Sequence, residues 1–409
     1  MASTTTPSIF FTAKGSTSSF QFGLMSDPPR PTVVETMSWL TDIIKPKYSD
    51  GEQRIALRKI PRQGFKYEYI VKTLQRRHEI QGMFASSLKK LWGIPIWTEC
   101  RVNYSPLLAG SSTIYVDTRY SDFRSTSYAM IWQNESLYEF LKVISKTDSA
   151  IILTSPTINT YTTATLVMPV RTGYIRNTPT MIALKSGLTL IDAEFEVIDN
   201  ATISGYAATQ TYDGLEVVTR QPLIENDEGI NESHSGDVSF LDNSTGLLGI
   251  KSDTEYNTVM QQHALRYNTA ATVWNFRQWL HSLYGRQNIF LVPSYTRDVT
   301  LSRAVGINDT VIYITNILLA LHVESYDLLQ YIGFLNTNGS ITVRKISAVA
   351  NVSSSEESIT LTDTVGTAYI TSTTVMFVWM CRFGSDDIEL NWQEKDHLVC
   401  ESGFVRVTQ

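Results

Sequence analysis

Two stretches of this 409-residue chain carry one local pattern, SSLKKLWGIPIW (residues 86–97) and HSLYGRQNIFLVP (residues 281–293). Each sets a serine, a leucine, an aromatic residue and a glycine in step, then turns into an extended apolar run. A pattern that recurs at long range constrains a fold strongly, because one unit must then find the same structure twice. Further matches follow in chain order. IALR (residues 55–58) matches HALR (residues 263–266) at a separation of 208, and STIYV (residues 112–116) matches TVIYI (residues 310–314) at 198. SAIILT (residues 149–154) and ESITLT (residues 357–362) return to 208, as do Tyr161 with Tyr369, Val167-Met168 with Val375-Met376, and Leu190 with Leu398. Phe195 and Phe404 stand one residue further apart, while Leu91-Trp92-Gly93 and Leu283-Tyr284-Gly285 are 192 apart. Ordered matches whose separation drifts at loops point to an internal duplication. On that reading Tyr115 should superpose on Tyr313 and Leu153 on Leu361.

Each copy reads as one helix packed on a β-rich module. FKYEYIVK (residues 65–72) alternates apolar and polar residues, as a half-buried strand does. Ile80, Phe84, Leu88 and Leu91 then form an apolar stripe at helical spacing, matched by Phe276, Trp279, Leu280 and Leu283. Gly93 and Gly285 stand where a helix takes a left-handed terminating residue. Short Thr-, Val-, Ile- and Tyr-rich strands follow, divided by turn signals such as LAGSS, NTNGS and TVGTA. The fold class expected is mainly β with a few helices (α+β). The chain divides into an N-terminal arm (1–35), a first module (36–200), an acidic linker or loop (201–252) and a second module (253–409). The linker carries Glu225, Asp227, Glu228, Glu232 and Asp237, without the spacing of a calcium loop.

Composition narrows function by exclusion. A net charge of −6 with no long basic run argues against gripping nucleic acid through its phosphates. The one dense basic patch, KTLQRRH (residues 72–78), fits the solvated face of a helix. Cys100, Cys381 and Cys400 form no disulfide framework and read as reduced thiols. The first residues lack the charged and apolar regions of a secretory signal, and no apolar run is long enough to span a bilayer, so synthesis in a cytoplasm without membrane insertion is expected.

Catalytic patterns are missing. There is no GxSxG, HExxH, P-loop or GxGxxG before a helix, and HEIQG at His78 has Gly82 where a zincin needs its second histidine. The six histidines show no ligand spacing. Asp386, Asp387, Glu389 and Asp122 are the acids that a glycoside-hydrolysing pair would draw on, but nothing in their spacing joins them. Trp92, Trp97, Trp274 and Trp279 sit at core spacing. No catalytic, cofactor-binding or metal residue is assigned.

One resemblance gives this uncatalytic chain a role. The order WLTDIIKPKYSDGEQRIALRKIPRQGFKYEY, then a helix, then LWGIPIWTE, resembles the opening of tail proteins of tailed bacteriophages. In that family a strand with G-x-E/Q-R and x-x-x-P-R-R precedes a tyrosine-rich strand, and a helix and a W/Y-G-x-P-x-W element follow. Gly51, Gln53, Arg54, Pro61, Arg62, Tyr67, Tyr69, Trp92, Gly93, Pro95 and Trp97 occupy those positions. The likeness is to distal-tail-type proteins and to the non-contractile tail-sheath proteins of short-tailed phages. It is firmest over residues 36–200 and fainter beyond. The second copy departs from it, with Arg286 and Asn288 in place of Ile94 and Ile96 and no proline matching Pro95. The resemblance implies a virion protein forming a ring, tube or sheath segment around the DNA exit channel, made and assembled in the host bacterial cytoplasm. Its partners would be its own copies in a closed homo-oligomer (a hexamer first, a trimer second), other tail and portal-proximal proteins, and genomic DNA passing without specific binding. The alternatives are a receptor- or glycan-binding virion protein and a polysaccharide hydrolase.

Overall fold

The computed structural model describes residues 23–46, 51–162, 164–184, 187–223, 229–236, 238–242, 244, 246–252, 257–322 and 329–408. The chain is mainly β, 50% strand and 10% helix, with three α-helices among the described residues. The first half runs β1 (Gly23–Leu24), β2 (Val33–Ile44), β3 (Gln53–Val71), α1 (Leu74–Ser87), β4 (Trp92–Pro95), β5 (Arg101–Asn103) and β6 (Thr113–Tyr115). It continues through β7 (Tyr128–Asn134), β8 (Leu137–Lys146), β9 (Ala150–Leu153), β10 (Thr165–Ile175), β11 (Thr180–Ala183) and β12 (Thr189–Val197). Between the halves lie β13 (Thr211–Tyr212), β14 (Leu215–Glu216), β15 (Asn231–Ser235), β16 (Val238–Leu241) and β17 (Gly249–Ser252). The second half comprises β18 (Thr258–Tyr267), α2 (Ala270–Leu283), β19 (Phe290–Pro293), β20 (Val311–Thr315), α3 (Leu319–His322) and β21 (Tyr331–Leu335). It ends with β22 (Ile341–Ser353), β23 (Glu356–Leu361), β24 (Val375–Phe383), β25 (Asp387–Glu394) and β26 (His397–Arg406).

The halves pair their strands by one scheme. In the first, β3 pairs with β12, β12 with β10, β10 with β4 and β7, β7 with β8, β8 with β9, and β9 with β6. In the second, β18 pairs with β26, β26 with β24, β24 with β19 and β21, β21 with β22, β22 with β23, and β23 with β20. All of these ladders are antiparallel, and β11 on β12 answers to β25 on β26. Registers agree as well. Tyr115 faces Ala150 as Tyr313 faces Ser358, and Leu107 bridges Tyr161 as Val305 bridges Tyr369. Ile175 faces Phe195 as Phe383 faces Phe404.

Register also corrects several sequence matches. Counterparts are 196 residues apart at the helix caps Thr73 and Thr269, 198 at Pro95 and Pro293, and 209 at Phe195 and Phe404. The separation therefore grows steadily along the chain. Pro95 does have a partner in Pro293, because Val170 faces the first as Val378 faces the second. Gly93 ends no helix: α1 stops at Ser87, and Trp92 and Gly93 lie in β4 opposite Gly173 and Thr172. Gly285 does take the left-handed conformation (φ 70°), with Tyr284 beside it at φ 54°. IALR sits in the outer half of the β2–β3 hairpin, whereas HALR pairs with β26, so their likeness carries no structural equivalence. Leu398 answers to Thr189 rather than Leu190, since Trp392 faces the one and Ala183 the other.

The expected helix stripes differ in depth. Ile80 is buried and Phe84 half-buried, but Leu88 is exposed beyond the helix end; Phe276, Trp279, Leu280 and Leu283 are all buried. The second half carries an additional short helix, α3. Its β18 alternates buried and open positions from Val259 to Tyr267, the period of a strand with one face in the core. One continuous core runs through both halves, from Trp39, Tyr67 and Trp92 to Trp279, Phe290 and Trp392. Smaller cores lie beneath β6–β9 and around Tyr331 and Met376.

β2 joins the halves. One of its edges bonds β3 and the other bonds β25. It begins at Val33, so the last residues of the expected arm already belong to this strand. The acidic linker is structured in part: β15 pairs with β18, and Glu232 binds Arg406. Glu225, Asp227, Glu228 and Asp237 lie outside the described residues.

Candidate functional site

The densest cluster of charge lies between the halves. Arg277 on α2 donates from Nη2 to Glu35 Oε1 on β2 at 2.9 Å, and from Nη1 to Glu99 just after β4. Glu35 also accepts from Gln63 Nε2 at 2.6 Å and from Trp392 Nε1 at 2.9 Å. Glu99 in turn accepts the backbone N–H of Asp122, whose carboxylate binds Arg171 and Arg124. Burial raises the Glu35 carboxyl above its ordinary range, with Arg277 pulling against it. Burial also acts to raise Asp122, but Arg171 and Arg124 hold it well below the usual range. Glu35, Glu99, Asp122, Arg171 and Arg277 are all buried, so the cluster is closed to substrate. Such a network is costly to break, because removing one partner strands a buried charge. Its chemistry is that of a lock.

The acids weighed from sequence for hydrolysis are held apart in separate contacts. Asp122 belongs to that lock. Asp386 accepts from Thr41 N at 2.7 Å, Thr41 Oγ1 at 2.9 Å and Arg286 N at 3.0 Å, pinning the β2–β3 hairpin to the end of α2. Asp387 and Glu389 are exposed on β25. Among the described residues no group of His, Cys, Asp or Glu could hold a metal ion. The basic patch on α1 is not a purely solvated face: Arg76 is half-buried and binds Asp27 at 2.6 Å and Glu79 at 2.9 Å. Trp92, Trp97 and Trp279 are buried and Trp274 half-buried; the three cysteines are free and buried.

A cleft of about 370 Å³ opens in the second half, lined in part by Glu232, Ser294, Asp298, Trp379 and Arg406. The charged and hydroxyl groups among these five are already engaged. Arg406 binds Glu232 and lies 3.6 Å from the Trp379 ring centre, while Asp298 accepts from Thr296 Oγ1 and the Phe377 N–H at 2.7 and 2.6 Å. In a second, smaller hollow, burial lifts Glu216 to about 7, where it accepts the Tyr206 hydroxyl beside Trp279.

The surface carries the less satisfied features. Among the described residues β16 and β17 form a two-stranded sheet of their own, which exposes Val238 (45%), Phe240 (64%) and Ile250 (69%). On the first half, Leu88, Tyr174 and Ile182 are exposed by 39, 44 and 56%. Exposed apolar groups of this size, gathered on defined elements, mark contact surfaces. Sequence reasoning misses the β16–β17 surface, because it places residues 201–252 in a linker or loop; the alternation VSF and GIK is the available signal. No helix among the described residues is long and apolar enough to cross a membrane. No protein-family model matches the chain, and no curated protein sequence matches it.

Proposed function

We propose that the chain is a structural component of a bacteriophage tail, building a ring or tube segment around the DNA exit channel through contacts between its own copies, without catalysis. Its two halves descend, on this reading, from one duplicated module. The observation that supports it most is the shared pairing scheme: the halves make one interface with each other and, among the described residues, leave matching strand edges unpaired. A chain of this construction holds its specificity in surfaces, and head-to-tail surfaces close into rings when the rotation permits.

Two further points favour the reading. A net charge of −6 lowers the affinity of a channel wall for passing phosphates. The residues that carry the resemblance to tail proteins are packing residues here: Tyr67 and Tyr69 are buried, and the Tyr67 hydroxyl donates to Pro95 O at 2.9 Å. Six copies per ring is the expected number, with three next. Electron microscopy and native mass measurement of the purified full chain test this directly. Closed rings are the expected result. Monomers or trimeric spikes that bind host-surface glycans would replace this reading with receptor binding.

A further inference from the structure

The chain contains one interface between its halves and the parts to build it again. In the internal interface, β2 lies against β25 with Glu35 facing Leu390 and Ser38 facing Asp387. Beyond Ser38 the β2–β3 hairpin lays one face on the second half, where Thr41 meets Asp386 and Arg286. Every part of this arrangement has a counterpart. β15 answers to β2: Glu232 faces Gln261 on β18 as Glu35 faces Phe65 on β3, and Gln261 and Phe65 face Phe404 and Phe195. The β16–β17 hairpin answers to the outer β2–β3 hairpin, with Val238 opposite Ser252 and Phe240 opposite Ile250 where Thr41 faces Ala56 and Ile43 faces Arg54. β11 answers to β25.

Among the described residues no further strand pairs with these counterparts. Among the described residues β15 bonds only β18, and β11 only β12. The bare face of β16–β17, with Val238, Phe240 and Ile250, is the one equivalent to the packed face of the first hairpin. Leu88 and Tyr174, the counterparts of Tyr284 and Arg382, are the ground it would cover, and they too are exposed. An isolated two-stranded hairpin is marginal in water, and an open strand edge is a template for another chain.

We infer that the free edge of β15 in one copy pairs antiparallel with the free edge of β11 in the next, and that β16–β17 of the first lies over Leu88 and Tyr174 of the second. The occupant is a second copy because this interface already exists once within the chain, between the equivalent elements in a defined register. Carried over, that register sets Asn231 opposite Ile182, Glu232 opposite Met181, Ser233 opposite Thr180 and His234 opposite Pro179. Leu184 N donates to Leu188 O, so by alternation Met181 and Ala183 point their N–H groups outward, free to donate. Pro179 has no N–H, which leaves this ladder one bond short of the internal one. Charge distinguishes the two as well. Gln81 stands where α2 has Arg277, and Glu232 is already taken by Arg406 of its own chain, so no buried ionic lock crosses between copies. The internal interface is permanent; the one between copies is reversible. This inference rests on the proposed self-assembly and specifies its contact.

Cysteine cross-linking tests the register. Ser233 and Thr180 are both exposed, and the three native cysteines are buried. Ser233→Cys and Thr180→Cys chains, mixed under mild oxidation, should give a covalent dimer that neither gives alone. Ser233→Cys mixed with Ile182→Cys, two residues out of register, should give roughly tenfold less, since a disulfide tolerates little displacement. Met181→Pro removes one outward N–H from β11 and leaves its bonds to β12, so it should abolish the oligomer in native mass measurement while the melting midpoint holds. A closed oligomer that forms without the Ser233–Thr180 link overturns the strand pairing and leaves the ring reading standing. Monomers in every variant and in the parent chain overturn both.

Discussion

Helices α1 and α2 have the same length, start from a threonine cap and follow equivalent strands, yet they live in different surroundings. Among the residues of α1, Ile80, Met83 and Ser87 are buried; α2 buries Val273, Phe276, Arg277, Trp279, Leu280, His281 and Leu283. The difference comes from what covers the outer side. α2 is covered by the first half through β2 and the Glu99 turn, while the equivalent side of α1 faces open solvent. Equivalent places in the two halves thus hold two kinds of helix, and the position of the neighbour decides which. The lesson is that an element equivalent in topology is not equivalent in energy until its partner is counted.

The sharpest way to break this comparison is at Arg277. Arg277→Ala would leave Glu35 and Glu99 buried without their cation, and should lower stability by about 3–5 kcal/mol. Gln81→Ala, the same position on α1, should stay within about 0.5 kcal/mol. Urea unfolding of both variants measures this, and equal losses would remove the distinction between the helices. His281 is next. Burial, aided by Arg277, depresses its pKa to about 3, whereas the unfolded chain titrates near the ordinary 6.5. The unfolded state therefore binds the proton first, so this contribution is whole above pH 6.5 and is lost as pH falls towards 3. At pH 4 the loss should reach about 3 kcal/mol, at 1.36 kcal/mol per unit. Ala85 holds the equivalent place on α1, and nothing titrates there. A His281→Gln chain with an unchanged pH–stability profile would sink the assignment.

Asp386 sets a middle scale. Asp386→Ala removes the acceptor for Thr41 and Arg286 and should cost about 2–3 kcal/mol, because hydrogen bonds to a charged group are the stronger kind. Asn177→Ala, at the equivalent turn, should be close to silent in the isolated chain, and thermal melts compare the two. The smallest effect is at the caps. Thr269 makes a reciprocal capping box with Thr272, so Thr269→Ala should cost about 1 kcal/mol. The Thr73 hydroxyl accepts from Arg76 N without a reciprocal bond, and Thr73→Ala should cost half that, about 0.5 kcal/mol. Helix-specific exchange at the first turns would resolve the pair.

Legibility in the sequence followed the reach of each signal. STIYV with TVIYI and SAIILT with ESITLT coincide with the ladder registers, because those stretches are short strands whose residues keep the same facing partner. LWG and LYG misled, since similar letters stand in a strand in one half and at a left-handed helix end in the other. The true counterpart of Trp92 is Phe290, shown by Gly173 facing the first and Cys381 facing the second. β15, β16 and β17 were read as linker because they are exposed on both faces and so show little contrast in polarity.

By itself the sequence determined the β class, the turns at Gly110, Gly339 and Gly366, and a set of histidines without ligand spacing. These depend on residues a few positions apart, where alternation and backbone freedom act directly. Only the tertiary structure decided that β2 would join the two halves, that Arg277 would meet Glu35 across 242 positions, and that β15 and β11 would each keep one edge unpaired among the described residues. Pairing is settled by the free energy of burying two distant faces together, and a shift of one residue turns every side chain to the other face. No local pattern carries that information, so it exists only once the chain has closed on itself.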